Sequence, residues 1–230
     1  RPGWFYHPEE DNRVKTVDQL TDLYYRSVGH NGTLLLNFPV DRNGLIHPTD
    51  SLNAVTFHQR VQKELADNLL SKAKVSASDE RGGQFNVRAL TDGQYDTYWA
   101  TNDSVMAADL TFTFEQPTKM NRVMIQEYIP LGQRVKSFVV KYKKGDQWLS
   151  VKCNEETTTV GYKRLLRFET IETEQLRIRF TDARACLCIN EAGAYYAPDA
   201  TESYTSATSE LRSFPFTIVG VDEEEVKKCS

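Results

Sequence analysis

The chain has 230 residues, of which 40% are hydrophobic, 11% aromatic and 26% charged, a composition typical of a globular protein with one or two domains. Its formal net charge of −4 provides no electrostatic footprint for nucleic acid or for an anionic membrane surface. No apolar run approaches the roughly 20 residues that cross a bilayer, so no membrane span is predicted.

The chain opens on a segment that combines hydrogen-bonding and aromatic side chains. It is Arg1-Pro2-Gly3-Trp4-Phe5-Tyr6-His7, without an initiating methionine. Arg and His can hydrogen-bond a polar ligand, while Trp and Tyr offer flat faces that stack on apolar C–H surfaces. We expect this segment to lie in a binding site, with earlier residues of the protein missing. The alternative is an aromatic strand that only packs.

Two amphipathic helices are predicted in the first third of the chain. Thr16 and Gln19 form a capping-box pattern, and apolar residues then recur at helical spacing until Gly29 supplies a stop. A second helix follows Pro48. Its periodic positions are Leu52, Val55, His58, Val61 and Leu65.

Between the helices, residues 33–39 read Thr-Leu-Leu-Leu-Asn-Phe-Pro, the kind of run expected for a strand buried on both faces. The order helix, buried strand, helix is typical of a parallel α/β barrel or a doubly wound sheet. One or two such units are too few to close either. We therefore expect residues 1–67 to be the tail of a larger domain.

From about Asn68 the pattern changes to short alternating strands, which predict an antiparallel β-sandwich. They are an aromatic segment ending at Thr101, then 110–114, 138–142, 148–151, 165–168 and 176–180. A C-terminal extension, 199–230, has a loop-like first part, a last strand predicted at 214–219 and a charged tail.

The four cysteines show neither a C-x-x-C motif nor zinc-ligand spacing. Cys186 and Cys188 are two apart, which in a strand places both side chains on one face. We expect Cys153, Cys186, Cys188 and Cys229 to be free thiols, mostly buried. A bridge from Cys153 to one of the close pair remains open.

Several motifs of the first part occur in a characteristic order. They are Arg1 to His7, then Leu-Tyr-Tyr-Arg-Ser-Val-Gly-His-Asn-Gly at 23–32, Leu-Leu-Leu-Asn-Phe-Pro at 34–39, Asp41 and Gly-Leu-Ile at 44–46. Together they resemble the C-terminal part of the catalytic domain of the α-L-fucosidases of glycoside hydrolase family 29.

The second part carries Ala-Leu-Thr-Asp-Gly at 89–93, Trp-Ala-Thr at 99–101 and Ile-Asn-Glu-Ala-Gly-Ala-Tyr at 189–195. These residues resemble a discoidin, or F5/8 type C, galactose-binding-like sandwich, which follows the barrel in many such fucosidases. The resemblances imply a multi-domain chain. Residues 1–67 would be the incomplete end of a (β/α)8-like catalytic barrel, and 68–198 an antiparallel jelly-roll sandwich.

The resemblance implies the C-terminal portion of a retaining exo-α-L-fucosidase that removes terminal α-linked L-fucose, with α1,3 and α1,4 linkages as the expected substrates. Such enzymes need no cofactor for catalysis and use two carboxyl groups roughly 5–5.5 Å apart. Both, an Asp nucleophile and a Glu acid/base, are expected upstream of this chain, so we assign it no catalytic residue. Glu9, Glu10 and Asp11 are interpreted as a solvated loop.

Four residues are predicted to bind substrate, because the C-terminal ends of barrel strands form the active site. Trp4 is expected to stack on the apolar face of a sugar, while Arg1 and His7 donate hydrogen bonds to hydroxyls. Asn37 ends the next apolar strand and is expected to line the same pocket, with bonding to nearby backbone as its alternative.

The sandwich resemblance implies one structural calcium ion. Its expected carboxylate ligands are Asp92 in the first loop, Asp96 as a helper and Glu191 near the end, with backbone carbonyls completing the shell. The alternative is that Asp92-Gly93 only makes a tight turn. Glycan contacts by Tyr95, Tyr98, Tyr128 or Arg134 are weaker candidates, and Trp99 is expected in the core.

The expected partners are fucosylated glycans and the N-terminal remainder of the catalytic domain, and the expected location is periplasmic or secreted. The competing hypothesis is a non-catalytic carbohydrate-binding or adhesion module of discoidin type. A pure binding module has no use for a strand buried on both faces at 33–39. A pseudo-enzyme without the upstream carboxylates is a third alternative.

Overall fold

The computed structural model describes residues 1–198. The strand predicted at 214–219, Cys229 and the rest of the extension lie outside the described residues. Within 1–198 no helix combines the length and the apolar character that a bilayer crossing requires.

Helix α1 spans Val17–Ser27 and begins at the predicted capping box. The Thr16 hydroxyl accepts from the Gln19 N–H at 3.2 Å, and the Gln19 side chain accepts from the Thr16 N–H at 3.0 Å. These bonds satisfy donors that a helix start leaves open. Gly29 follows the helix for a steric reason, since a Cβ there would lie 2.4 Å from the Tyr25 carbonyl oxygen.

Helix α2 spans Pro48–Glu64, with proline at the first position, where its missing N–H is tolerated. Its buried residues are two acids, Asp50 and Glu64, and both pair with arginine side chains. Leu52, on the apolar face that the sequence predicts, is exposed. The helix is confirmed, but the described residues cover its apolar stripe only in part.

The strand predicted at 33–39 is not formed within residues 1–198. The segment has no β-pairing, and Leu35 is 82% exposed. A strand of a parallel sheet needs neighbours on both sides to pair its backbone groups. The described residues offer it none, so no barrel sheet is present in this part of the chain.

Seven strands follow, all in antiparallel pairs: β1 Lys74–Ala77, β2 Trp99–Ala100, β3 Ala108–Glu127, β4 Val135–Lys144, β5 Gln147–Ser150, β6 Arg164–Ala183 and β7 Cys188–Tyr195. Their hydrogen-bonded order is β2-β7-β3-β6-β4-β5, with β1 also on β3. The first half of β3 lies between β1 and the second half of β6. Its second half lies between β7 and the first half of β6.

Irregular register in β3, between residues 113 and 118 and between 120 and 122, marks where the long strands change partners. We call β1, the first half of β3, the second half of β6, β4 and β5 the five-stranded layer. The four-stranded layer comprises β2, β7, the second half of β3 and the first half of β6. An antiparallel β-sandwich results, as predicted.

One apolar core fills the space between the layers. Trp99 is fully buried there, as expected, beside Phe112 and Phe180 from the alternating segments. The second half of β3 and β7 were not predicted as strands. Both are buried along nearly every residue, so they lack the alternation that marks a strand with one wet face.

The thiols of Cys153, Cys186 and Cys188 are free, so the bridge left open by the sequence is not formed. Cys186 and Cys188 lie on the same side, because Nη1 of Arg134 approaches both sulfur atoms, at 2.8 and 3.3 Å. Burial raises the pKa of Cys188 to about 11, so its thiol is protonated at neutral pH.

The helices attach to the outer face of the four-stranded layer through Tyr25. This side chain is 1% exposed and packs against Met124, Leu165 and Tyr195. Its hydroxyl donates to Glu64 of α2 at 2.7 Å and accepts from Nε of Arg122 in β3 at 3.1 Å. One hydroxyl therefore joins both helices to the sheet.

Replacing Tyr25 by Phe in the intact protein removes this hydroxyl but keeps the ring. We expect a loss of about 1–3 kcal/mol in the free energy of unfolding, because the buried Glu64 carboxylate loses a donor. Chemical denaturation measures it. Tyr24→Phe is the matched control, since the Tyr24 hydroxyl makes no hydrogen bond within residues 1–198, and it should change stability by less than about 0.5 kcal/mol. Equal effects would contradict the role of the Tyr25 hydroxyl.

Candidate functional site

Arg1 is fixed by acids rather than free to meet a ligand. Its Nε and Nη2 donate to Oδ2 of Asp50 at 2.9 and 2.6 Å, and Nη1 lies 2.8 Å from a carboxylate oxygen of Asp11. The guanidinium also lies over the ring of Tyr6, 4.7 Å from its centroid. Arg1 therefore positions the opening segment, and the ion pair of Asp11 corrects its interpretation as a solvated loop residue.

Beside Arg1 lies a concavity of about 360 Å³ between the opening segment and the leucine run. Trp4 lines it and is 65% exposed, so its ring is available for contact. Asn37 also lines it, but its side-chain amide donates to the Trp4 carbonyl at 2.6 Å. The contact to backbone, which the sequence left as the alternative for Asn37, is thus present. The apolar side chains that line it include Leu20, Leu23, Leu34, Leu35, Leu36 and Phe38.

His7 does not belong to this concavity. Pro8 starts a short 3₁₀ turn, Pro8–Arg13, directly after it, and the exposed His7 ring faces Glu9 at 3.8 Å. The structure instead brings His47 to the group around Arg1, with Nε2 3.4 Å from Asp11. The sequence signals for His47 were weak, because it precedes Pro48 in a turn and belongs to no motif.

A second group of polar residues lies at the loop after the short 3₁₀ turn Val87–Thr91. Asp92 accepts from the Gln94 N–H at 2.8 Å and from the Thr97 hydroxyl at 2.7 Å. Gly93 has a φ of +69°, which favours glycine. The tight turn that the sequence offered as an alternative is therefore formed.

Glu191 of β7 faces this loop. Burial, with a smaller contribution from the charge of Asp92, raises the pKa of its carboxyl group. Asn190 faces the loop as well, donating to the Tyr95 carbonyl at 3.4 Å. Adjacent strand residues normally point to opposite faces, but a register shift lets Asn190 and Glu191 both face the loop. Gln126 pairs with Glu191 and the next residue of β3 pairs with Ile189, so Asn190 is the extra residue of a bulge.

Within residues 1–198, no three His, Cys, Asp or Glu side chains gather as a metal cluster, so Asp92, Asp96 and Glu191 do not form the expected three-carboxylate set. Asp96 is exposed and adds no contact to the other two. Asn190 was missed by sequence reasoning. Its Oδ1 is buried without a partner in the described residues, so it needs a donor or a cation.

Tyrosine rings continue from this loop across the surface. Tyr98 stacks on Tyr128 with ring centroids 4.3 Å apart, and Tyr95 lies 6.2 Å from Tyr128 and 6.4 Å from Tyr162. Tyr95 and Tyr162 are exposed, and Tyr162 was not predicted because it stands in a segment without strand pattern. Arg134, by contrast, is engaged with the thiols.

Comparison with known proteins identifies the second part of the chain. The family model for the F5/8 type C domain matches residues 73–191. The chain belongs to this family, and the match falls on the sandwich whose layers are described above.

Relatives that match most of the chain include proteins named as fucosidases. The chain is 35% identical over 201 residues to alpha-L-fucosidase 1 of Arabidopsis thaliana, covering 85% of this chain and 39% of that protein. The Ruminococcus gnavus GH29 fucosidase in complex with fucose matches 86% of this chain and 40% of its own, with a TM-score of 0.79 and 32% identity. A glycoside hydrolase 29 family member from an unknown rumen bacterium matches 89% of this chain and 33% of its own, with a TM-score of 0.71 and 33% identity. The chain thus spans about two fifths of the length of the curated relatives it matches.

Proposed function

We propose that this chain is the C-terminal portion of a retaining exo-α-L-fucosidase that acts on terminal α-linked fucose of glycans. The observation that carries the proposal is the similarity to a fucosidase that binds fucose, which extends over 86% of this chain and so reaches beyond the sandwich. The F5/8 type C match alone would suit a binding module equally well.

In this proposal residues 1–67 are the end of the (β/α)8-like catalytic barrel. The unpaired segment 33–39 and the exposed Leu35 support it, since a barrel strand shows such features when its neighbours come from another part of the protein. The N-terminal remainder of the catalytic domain would cover the leucine run and supply both reacting carboxyl groups. No step of bond cleavage is assigned to this chain.

The chain contributes a wall of the sugar pocket. The exposed ring of Trp4 would stack on the C–H face of fucose or of the adjoining sugar. Arg1, held by Asp50 and Asp11, positions this ring by fixing the backbone three residues away. Asn37 acts in the same way through its bond to the Trp4 carbonyl.

Replacing Trp4 by Ala in the full-length protein should lower kcat/KM on an aryl α-L-fucoside about tenfold, the size of one aromatic stacking contact. The melting temperature should stay nearly constant, because the ring is mostly exposed. Phe5→Ala is the matched control, since Phe5 is 73% exposed and does not line the concavity. Equal kinetics for the Trp4 variant and the parent would remove Trp4 from the site.

We also propose that Asp92 and Glu191 hold one structural calcium ion with backbone carbonyls of the loop. The raised pKa of Glu191 supports this, because burial and the charge of Asp92 both disfavour its ionised form, and the charge of Lys163 offsets only part of that effect. The unpartnered Oδ1 of Asn190 adds a hard oxygen beside the same loop. Bound calcium would fix the loop to β7, a role in stability rather than in catalysis.

Calcium should raise the melting temperature of the intact protein by several degrees over the chelated form, since an ion that binds only the folded state stabilises it. Glu191→Gln should abolish the calcium response while leaving the chelated protein at least as stable as the parent. Asp96→Asn, the control, should keep the response. A melting temperature indifferent to both calcium and chelator would refute the site.

One observation favours the alternative, a non-catalytic glycan-binding module. The exposed rings of Tyr95 and Tyr162 resemble the aromatic contacts that proteins offer to sugars. Hydrolysis distinguishes the two functions, because only the enzyme releases fucose. A full-length protein that retains fucosylated glycans but releases no fucose would favour the module and contradict the enzyme.

A further inference from the structure

The outer face of the five-stranded layer concentrates positive charge. Its cations come from three strands, and a single carboxylate lies among them. The group, which we call the basic face, is Lys74, Lys141, Lys143, Arg177, Arg179 and Asp109.

Strand register places these side chains together. Lys141 pairs with Arg177 across β4 and β6, and Arg179 pairs with Asp109 across β6 and β3. The residues between them, Ile178 among others, are buried in the core, so these side chains point outward. Neighbouring strands lie about 4.8 Å apart, which sets a grid of cations a few ångströms in spacing.

The charge is not neutralised internally. Both arginines share Asp109: Arg179 donates to its two oxygens at 2.7 Å, while Arg177 lies 3.6 Å away. The hydrogen bonds from Arg179 are the main reason that the pKa of Asp109 is lowered. Within residues 1–198, Lys74, Lys141 and Lys143 form no ion pair. Positive charge thus gathers on one face of a chain whose net charge is −4.

We propose that the basic face binds an anionic polysaccharide, one that carries sulfate or carboxylate groups along its chain. Arginine forks and lysine ammonium groups suit such anions. Hydroxyl and amide groups on the same face, those of Thr111, Thr113 and Gln175, provide partners for neutral sugar hydroxyls. This surface is separate from the Trp4 concavity and does not depend on the fucosidase proposal.

Other polyanions fit the face less well. A membrane-binding surface inserts apolar side chains, and none of the exposed large hydrophobic residues in the described part belongs to this face. Single-stranded nucleic acid binds by stacking bases on aromatic rings. The aromatic ring at the edge of the face, Trp148, is already covered by the Arg177 guanidinium at 3.9 Å.

The test measures binding of heparin, as a sulfated polysaccharide probe, to the full-length protein by calorimetry at several salt concentrations. Lys141→Gln/Lys143→Gln should weaken affinity about tenfold and make the salt dependence shallower, because fewer counterions are released. This variant leaves the arginine pairs with Asp109 intact. The control, Arg42→Gln/Lys119→Gln, removes the same charge from exposed positions outside the basic face and should change affinity less than twofold.

Three outcomes would overturn the proposal. They are absence of heparin binding by the parent, equal weakening in both variants, or binding of phosphatidylserine vesicles or single-stranded DNA as tight as that of heparin with the same dependence on Lys141 and Lys143. Unchanged melting temperatures of both variants confirm that the comparison concerns folded protein. Neutral dextran should not bind in any case.

Discussion

The buried hydroxyl of Tyr25 is the contact on which the arrangement of the chain depends. It lies between a carboxylate of α2 and a guanidinium of β3, while the guanidinium of Arg167 covers its ring at 4.6 Å. Burial is the first cause that raises the pKa of Tyr25, so the hydroxyl stays protonated and can donate to Glu64. A buried carboxylate that loses a hydrogen-bond donor costs about 1–3 kcal/mol. The two helices are thereby held in one position on the four-stranded layer, and with them Leu20, Leu23 and Asp50, which line the Trp4 concavity.

Local patterns predicted the elements that local chemistry determines. The capping box located the start of α1 to the residue, and alternation located most strands that have one wet face, although the short β1 was not predicted. β7 and the second half of β3 were not predicted because side chains such as Tyr25 of α1 pack on their outer face, which removes the alternation. The strand predicted at the leucine run is not formed, because a strand there needs neighbouring strands that the described residues do not supply.

In the candidate sites, too, the features that the sequence did not predict depend on residues that are distant in the chain. The contacts of Arg1 follow from which acids lie nearby in space, and Asp50 is 49 residues away in sequence. No local pattern could show that Trp4 lines the concavity while His7 does not, because the 3₁₀ turn at Pro8 decides where the His7 ring points. Asn190 and Glu191 both reach the Asp92 loop only because a bulge breaks the two-residue period of β7. Register irregularities of this kind are set by cross-strand packing and leave no simple trace in one strand's sequence.

The two layers of the sandwich differ in what covers them, and this difference explains why the outward residues of the basic face are polar but not why they are positively charged. On the four-stranded layer the outward residues Met124, Leu165 and Tyr195 are apolar because Tyr25 packs on them. The five-stranded layer has no such cover within residues 1–198, so packing requires only that its outward residues be polar. Acidic, amide or hydroxyl side chains would meet the requirement for polar outward residues equally well. A face rich in lysine and arginine within an acidic chain therefore exceeds what folding demands, and like-charge repulsion makes it a small cost to stability. A ligand that supplies the missing negative charge accounts for that excess.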